Sequence, residues 1–383
     1  MNYKSLAIIF STVLTSGICF AQTTIVEDFK KSATTQQGKE YPQVNSEGRV
    51  RVQISAPEAQ KVQLDIGAVK YDLVKDDKGV WTGESAPQDE GFHYYQLNID
   101  GASVPDPGSL YFYGASRWGS GIEVPAKDQE LYALKNVPHG EVREVTYFSK
   151  TSNSMRRCFV YTPPGYNTSD KKYPVLYLQH GGGENETGWS SQGHANLIMD
   201  NLIAEGKANP FIIVMDNGTW ARPAQAQGGQ GGGRPGLPEG WADGFKNTLI
   251  NDIVPMIDAN YRTLANQENR AMAGLSMGGM QTRIITLANP EVFSHVGMFS
   301  GGSISTEDIS KSPNFKDKVK LLFVSYGSRE LENPRQGSAN PKTNTEDLKK
   351  AGINTHFYVS PQTAHEWQSW RRSLNEFAQL IFK

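Results

Sequence analysis

The stretch Gly274-Leu275-Ser276-Met277-Gly278-Gly279 has the residue types and spacing for covalent chemistry. It follows a short strand-like run, Asn269-Arg270-Ala271-Met272-Ala273, and Met280 to Leu287 continues from it as a helix. A strand that reverses sharply into a helix crowds its own backbone. Glycines two before and two after the serine remove the Cβ atoms that would collide, and the hydroxyl is pushed out above the sheet as a nucleophile. A G-x-S-x-G string also occurs in ordinary glycine-rich turns, so the partners of Ser276 decide its meaning.

Two further segments supply partners in the order such a site requires. Val175-Leu176-Tyr177-Leu178-Gln179 runs directly into His180-Gly181-Gly182-Gly183, the pattern of an oxyanion loop. Attack on an ester creates a negative oxygen, and the donors expected to meet it are the backbone N–H groups of Met277 and Gly182, with Gly181 or Gly183 as alternatives to Gly182. His180 itself reads as a packing residue that orients the loop. His365, between the strand-like Thr355 to Ser360 and a C-terminal helix, is the expected general base. His93, His139, His180, His194, His295 and His356 lack either its place in the order or its loop setting. The acid belongs between Ser276 and His365, just past a strand. Leu321 to Ser325 is that strand, and Glu330 after it is the expected acid, with Glu332 as the alternative. Its carboxylate would hold the histidine tautomer that takes the serine proton. No metal or cofactor enters this scheme.

These residues need a scaffold that brings strand ends together. The runs Val175 to Leu178, Phe211 to Met215 and Leu321 to Ser325 are continuously apolar, as expected of parallel strands covered on both faces. Amphipathic segments, Asn196 to Glu205 and Phe245 to Tyr261, lie between them, and Pro255 predicts a kink or irregular turn in the second. Strand and helix in repetition argue a doubly wound α/β sheet over residues 142–383. Residues 46–127 have a different grammar. Arg49 to Ile54, Lys61 to Ile66 and Phe92 to Ile99 alternate apolar and polar positions, with turn signals at Asp76-Asp77-Lys78-Gly79 and Asp100-Gly101. That pattern predicts a small antiparallel β-sandwich, preceded by an N-terminal segment over 22–45 and joined to the α/β part by a linker over 128–141.

Composition narrows the rest. The 383 residues fit two domains better than one or three at roughly 100–200 residues each. With 38 basic against 40 acidic side chains, the formal charge of −2 provides no field favouring nucleic acid or an anionic membrane. Residues 1–21 read as an export signal: Lys4, an apolar stretch from Leu6 to Ile18, and Cys19-Phe20-Ala21 before the cut. Ser11, Thr12, Thr15 and Ser16 dilute that stretch too much for a membrane span, so a secreted or periplasmic chain is expected. A lipid-anchored form through Cys19 is the lesser alternative. Cleavage leaves Cys158 without a disulfide partner, and its strand-like setting predicts a buried, inert thiol. The run Gly228 to Gly236 fits G-x-G-x-x-G at Gly231, Gly233 and Gly236, but no strand precedes it and Pro235 stands where a helix would begin. A surface loop is expected there.

From about Val142 onward the chain resembles the esterase D and feruloyl esterase group, carbohydrate esterase family one of the α/β-hydrolases. The residues that carry the resemblance are Val160-Tyr161-Thr162-Pro163-Pro164-Gly165-Tyr166, the His180 loop with Glu184 to Trp189, the Ser276 turn, Tyr326-Gly327, and His365-Glu366-Trp367-Gln368-Ser369-Trp370. The sandwich region resembles early-set, immunoglobulin-like modules of the glycogen-binding type, through Gly79-Val80-Trp81 and Val104-Pro105-Asp106-Pro107. In the family an Asp commonly stands where this chain has Glu330. The resemblance implies cleavage of feruloyl or acetyl esters from xylan, feruloyl first, with siderophore esters as an alternative within the same chemistry. Trp189, Trp220 and Trp367, and also Trp370, are candidates for flat surface under an aromatic acyl group or a sugar ring, although tryptophans serve equally as core residues. Two other classes compete. An inactive carbohydrate-binding protein would have lost a member of the Ser276, Glu330, His365 set, and none is missing. A nucleotide-binding oxidoreductase needs a glycine where Glu186 follows Gly181 and Gly183.

Overall fold

A computed structural model describes residues 25–220, 240–332 and 340–383. The predicted export signal, Cys19 and the glycine run at 228–236 lie outside the described residues.

The α/β part is built on one eight-stranded sheet. Its strands are β1 (Glu141–Ser149), β2 (Ser154–Thr162), β3 (Val175–Gln179), β4 (Ile212–Asp216), β5 (Arg270–Leu275), β6 (His295–Phe299), β7 (Leu321–Gly327) and β8 (Thr355–Ser360), in the order 1-2-4-3-5-6-7-8. Along that order the pairs from β4 through β8 are parallel, while β1 with β2 and β2 with β4 are antiparallel. Strands β3, β4 and β6 are buried at every position, which is why Val175 to Leu178 and Ile212 to Met215 read as continuous apolar runs. Alternate residues feed two cores: Leu176, Leu178, Ala271 and Ala273 face one, and Val175, Tyr177 and Met272 face the other. Helix α1 (Ala195–Ala204) and the C-terminal helix α4 (Trp367–Ala378) cover the first, and the segment from Asp243 to Asn260 covers the second. In that segment a wider π-type turn, Leu249–Ile253, precedes the last helical stretch, so Pro255 falls in a first turn, where its missing N–H costs nothing. This is the α/β-hydrolase sheet, and its parallel register brings the carboxyl ends of β3, β5, β7 and β8 to one edge.

Two antiparallel sheets precede it. One joins Lys30–Lys31, Gln43–Val44, Val50–Ser55, Val80–Glu84 and Val74–Lys75. The other joins Tyr111–Gly114, Arg117–Val124, Gly91–Ile99, Val62–Ile66 and Val69–Asp72. They share a core of Val50, Val52, Leu64, Ile66, Leu97 and Ile122. Asp100 and Gly101 both have positive φ, 48° and 90°, the two-residue turn their sequence signals. The sandwich reaches back to Lys30, so part of the expected N-terminal segment is paired into a sheet. The stretch expected as a linker is also packed. Tyr132 stacks on His194 under the Arg371 guanidinium, and Asn201 on α1 donates to the carbonyls of Leu131 and Ala133.

The two parts share apolar surface. Phe92 of the sandwich is buried in the same cluster as Trp189, Trp367 and Trp370. Among the described residues no helix is long and apolar enough to cross a membrane. Cys158 is fully buried on β2, and burial pushes its thiol well above the ordinary range.

Candidate active site

Ser276 stands between β5 and helix α2 (Met277–Ala288) with φ 51° and ψ −113°, a region costing about 1–3 kcal/mol for a residue with a Cβ. Its N–H donates to the Phe299 carbonyl on β6 at 2.8 Å, which helps hold the strained turn. The glycines are sterically required. A Cβ on Gly274 would lie 2.5 Å from the Gly278 backbone, and one on Gly278 would lie 2.6 Å from the His180 carbonyl.

The fold brings the three expected residues together. Ser276 Oγ lies 2.9 Å from His365 Nε2, and His365 Nδ1 lies 2.7 Å from Glu330 Oε1. A carboxylate only accepts, so Nδ1 carries the proton and Nε2 is left to accept from the serine. Glu330 sits in the short helix α3 (Ser328–Glu332) directly after β7, and His365 in the loop after β8. Glu330 Oε2 accepts from Ser300 Oγ at 2.7 Å and from the Gly327 N–H at 2.8 Å. Burial pushes the Glu330 carboxyl up, but the hydrogen bonds from His365, Ser300 and Gly327 outweigh it and hold the group below the usual carboxylate range. It therefore stays ionised as a partner for an imidazolium. Ser300 is a neighbour of this set that the sequence did not reveal, and Trp370, expected as flat substrate surface, instead packs against it. Trp370 Nε1 donates to Ser300 Oγ at 3.2 Å, and its ring stands at 88° to the His365 ring with centroids 5.1 Å apart.

The loop after β3 comes to the same point. A Cβ on Gly182 would lie 3.9 Å from that of Met277, which places the two residues side by side beside Ser276. The Met277 N–H belongs to a first helical turn and has no intrahelical partner. The Gly181 N–H is committed to Glu184 Oε2 at 3.2 Å, which removes Gly181 from the choice of donors. His180 fixes the loop from below. Gly218 N–H donates to its Nε2 at 3.0 Å, so Nδ1 carries the proton and donates to the Gly181 carbonyl at 2.8 Å. Burial lowers the His180 pKa, which keeps the ring neutral in this role.

The tryptophan expectations need correcting. Trp189 and Trp367 are buried, packed edge to face with centroids 5.4 Å apart, and they donate to Gln179 O and Tyr94 Oη. Neither presents a face to a substrate, because the join between sandwich and sheet closes over both; Trp370 is buried with them. Trp220 remains partly exposed, beside the Arg156 guanidinium at 5.5 Å.

A catalytic-edge arrangement of this kind occurs in several families, so comparison with known proteins decides the lineage. The Esterase family model matches residues 149–380, more than half of the chain. The chain belongs to the Esterase family. It is 46% identical over 366 residues to an endo-1,4-beta-xylanase/feruloyl esterase of Xylanibacter ruminicola, covering 93% of this chain and 48% of that protein. It is 25% identical over 286 residues to endo-1,4-beta-xylanase Y of Acetivibrio thermocellus, covering 67% of this chain and 24% of that one. The chain thus spans about half or less of the length of these curated relatives. Among solved structures, a carbohydrate esterase family one ferulic acid esterase of Anaeromyces mucronatus, without substrate, superposes with a TM-score of 0.54 at 25% identity. That match covers 67% of this chain and 96% of the fungal chain. The enterobactin esterase of Shigella flexneri gives 0.61 at 15% identity over 86% of this chain and 92% of its own chain, a likeness of fold.

Proposed function

We propose that this esterase is a serine carboxylic-ester hydrolase that releases feruloyl groups from xylan or its oligosaccharides through an acyl-enzyme on Ser276. The observation that carries the reading is the continuous chain Ser276 Oγ, His365, Glu330, with the N–H groups of Met277 and Gly182 beside the serine.

In the first step His365 Nε2 takes the hydroxyl proton as Ser276 Oγ attacks the ester carbonyl. Glu330 stabilises the imidazolium that results. The carbonyl oxygen becomes an oxyanion held by the Met277 and Gly182 N–H groups, donors worth roughly 3–4 kcal/mol each in related sites. The intermediate collapses, the C–O bond to the sugar breaks, and His365 returns its proton to the departing alcohol. Water then attacks the acyl-enzyme with His365 again as base, releasing the acid and restoring Ser276.

The feruloyl assignment is supported by the Xylanibacter ruminicola relative, whose name couples xylanase and feruloyl esterase activities, and by the ferulic acid esterase fold. Export after Ala21 is part of the same reading, since xylan lies outside the cell. The test is a substrate panel with methyl ferulate, feruloylated arabinoxylan, acetylated xylan and a siderophore ester assayed side by side. Faster turnover of the feruloyl substrates is expected; preference for acetyl or siderophore ester overturns the acyl assignment and leaves the serine mechanism. Ser276→Ala should abolish release from every substrate in the panel.

A further inference from the structure

The sandwich touches the oxyanion loop itself. Tyr94, on the strand Gly91–Ile99, donates its hydroxyl to Glu184 Oε1 at 3.1 Å. The Tyr94 hydroxyl oxygen accepts from Gln192 Nε2 at 2.6 Å and Trp367 Nε1 at 3.2 Å, filling both lone pairs and leaving its proton for Glu184. Glu184 Oε2 in turn accepts from the Gly181 N–H at 3.2 Å, and the Glu184 N–H returns to the Gly181 carbonyl at 3.3 Å. A Cβ on Gly181 would lie 3.5 Å from that of Ser276, so the peptide under this control is next to the nucleophile. A second sandwich contact closes the loop from its other end. In the hairpin turn between Tyr111–Gly114 and Arg117–Val124, Ala115 and Ser116 have positive φ, and the Ser116 N–H donates to the Gly183 carbonyl at 2.8 Å. Gly182 lies between these two points.

We propose that Tyr94 is a positioning residue for ester cleavage: by holding the Glu184 carboxyl on the Gly181 N–H it keeps the Glu184 N–H on the Gly181 carbonyl, whose peptide carries the Gly182 donor, which makes the β-sandwich a working part of the oxyanion hole. This rests on the reading of Gly182 and Met277 as the donors. Glu184 and Tyr94 touch no reacting atom. Their effect is on where a donor sits when charge develops, so it falls on the chemical step and not on ground-state binding.

The experiment compares Tyr94→Phe, Glu184→Met and the double variant with the wild-type chain, using a p-nitrophenyl ester and an aryl boronic acid whose tetrahedral adduct puts an oxygen on the same donors. Tyr94→Phe should lower kcat about tenfold with KM within about twofold, a fraction of the loss from deleting an oxyanion donor outright. Boronate affinity should weaken by a similar factor. The double variant should be no slower than Glu184→Met alone, because both substitutions cut one path. Wild-type kcat and boronate affinity in Tyr94→Phe, or single effects that multiply in the double variant, overturn the proposal. Should Glu184→Met fail to fold, the kcat, KM and boronate readings of Tyr94→Phe decide alone. Ser276→Ala separates the two levels. If it is inactive while Tyr94→Phe is unimpaired, only the role of Tyr94 fails; if it keeps activity, the reading of the site fails.

Discussion

The eight-stranded sheet and the β-sandwich contribute to the site in opposite ways. The sheet supplies every group expected to touch the substrate's reacting ester, from the carboxyl ends of β3, β5, β7 and β8. The sandwich supplies none of these, yet it grips three segments beside them. Tyr94 and Ser116 hold the loop after β3, through Glu184 and the Gly183 carbonyl. Asp89 pairs with Arg329, the residue before Glu330. Glu123 makes a two-pronged pair with Arg371, which is fully buried on the helix following His365, at 2.7 and 3.0 Å. The reactive residues thus lie in one part of the chain and some of the residues that place them in the other, and perturbing each part should give a different signature.

The largest effect belongs to the sheet. Glu330→Gln should lower kcat by about 10³ to 10⁴, since the wrong histidine tautomer is then favoured, while Glu332→Gln stays within about twofold. Steady-state kinetics on a p-nitrophenyl ester check this, and a large loss only in the second variant transfers the acid role. On the sandwich side, Arg371→Met leaves the Glu123 carboxylate at the join without its cation. Urea unfolding should register a loss of about 4 kcal/mol, because breaking one half of a buried pair exceeds the net worth of the pair. A loss under about 1 kcal/mol would mean that the two parts are not held together there.

Glu184 lies between the two regimes. Burial pushes its carboxyl up to about 7, against the hydrogen bonds from Gly181 and Tyr94 that favour the charged form. Between its ordinary value and about 7 the folded chain binds more protons than the unfolded one, so this group's contribution is present at acid pH and is lost as pH rises. Relative to wild type, Glu184→Gln should gain about 3 kcal/mol between about pH 4 and pH 8, read from urea midpoints across that range. A difference independent of pH contradicts the burial argument. The smallest effect is expected from Asp89→Ala. Its ion pair with Arg329 is nearly half exposed on both sides, so removing it should cost less than about 1 kcal/mol, and less still at high salt.

The division also explains what the sequence made legible. Ser276 was readable because its turn imposes glycines at fixed local positions, and Glu330 and His365 because the sheet order places them after particular strands. Continuous apolar runs gave the parallel strands, and alternation gave the sandwich. Tyr94, Glu184 and Ser300 carry no local signature. Ser300 meets Glu330 across 30 positions when neighbouring strands of the sheet pair, and Tyr94 meets Glu184 across 90, a contact created only when the sheet and sandwich are assembled. The tryptophans were misread for the same reason. Flanking an active-site motif says nothing about which face a ring presents, and the docking of the sandwich buries Trp189 and Trp367. The strands at Lys30 and Gln43 were missed because two-residue strands are too short to alternate.

The account centres on Ser276 as an activated nucleophile, and a mechanism-based label tests that most directly. The folded chain treated with p-nitrophenyl diethyl phosphate should take up one diethyl phosphate as activity falls to zero. Peptide mass spectrometry should locate the label on the Ser276 hydroxyl, and Ser276→Ala should remain unlabelled. A label on another residue as activity is lost, or full hydrolytic activity in Ser276→Ala, would contradict the account.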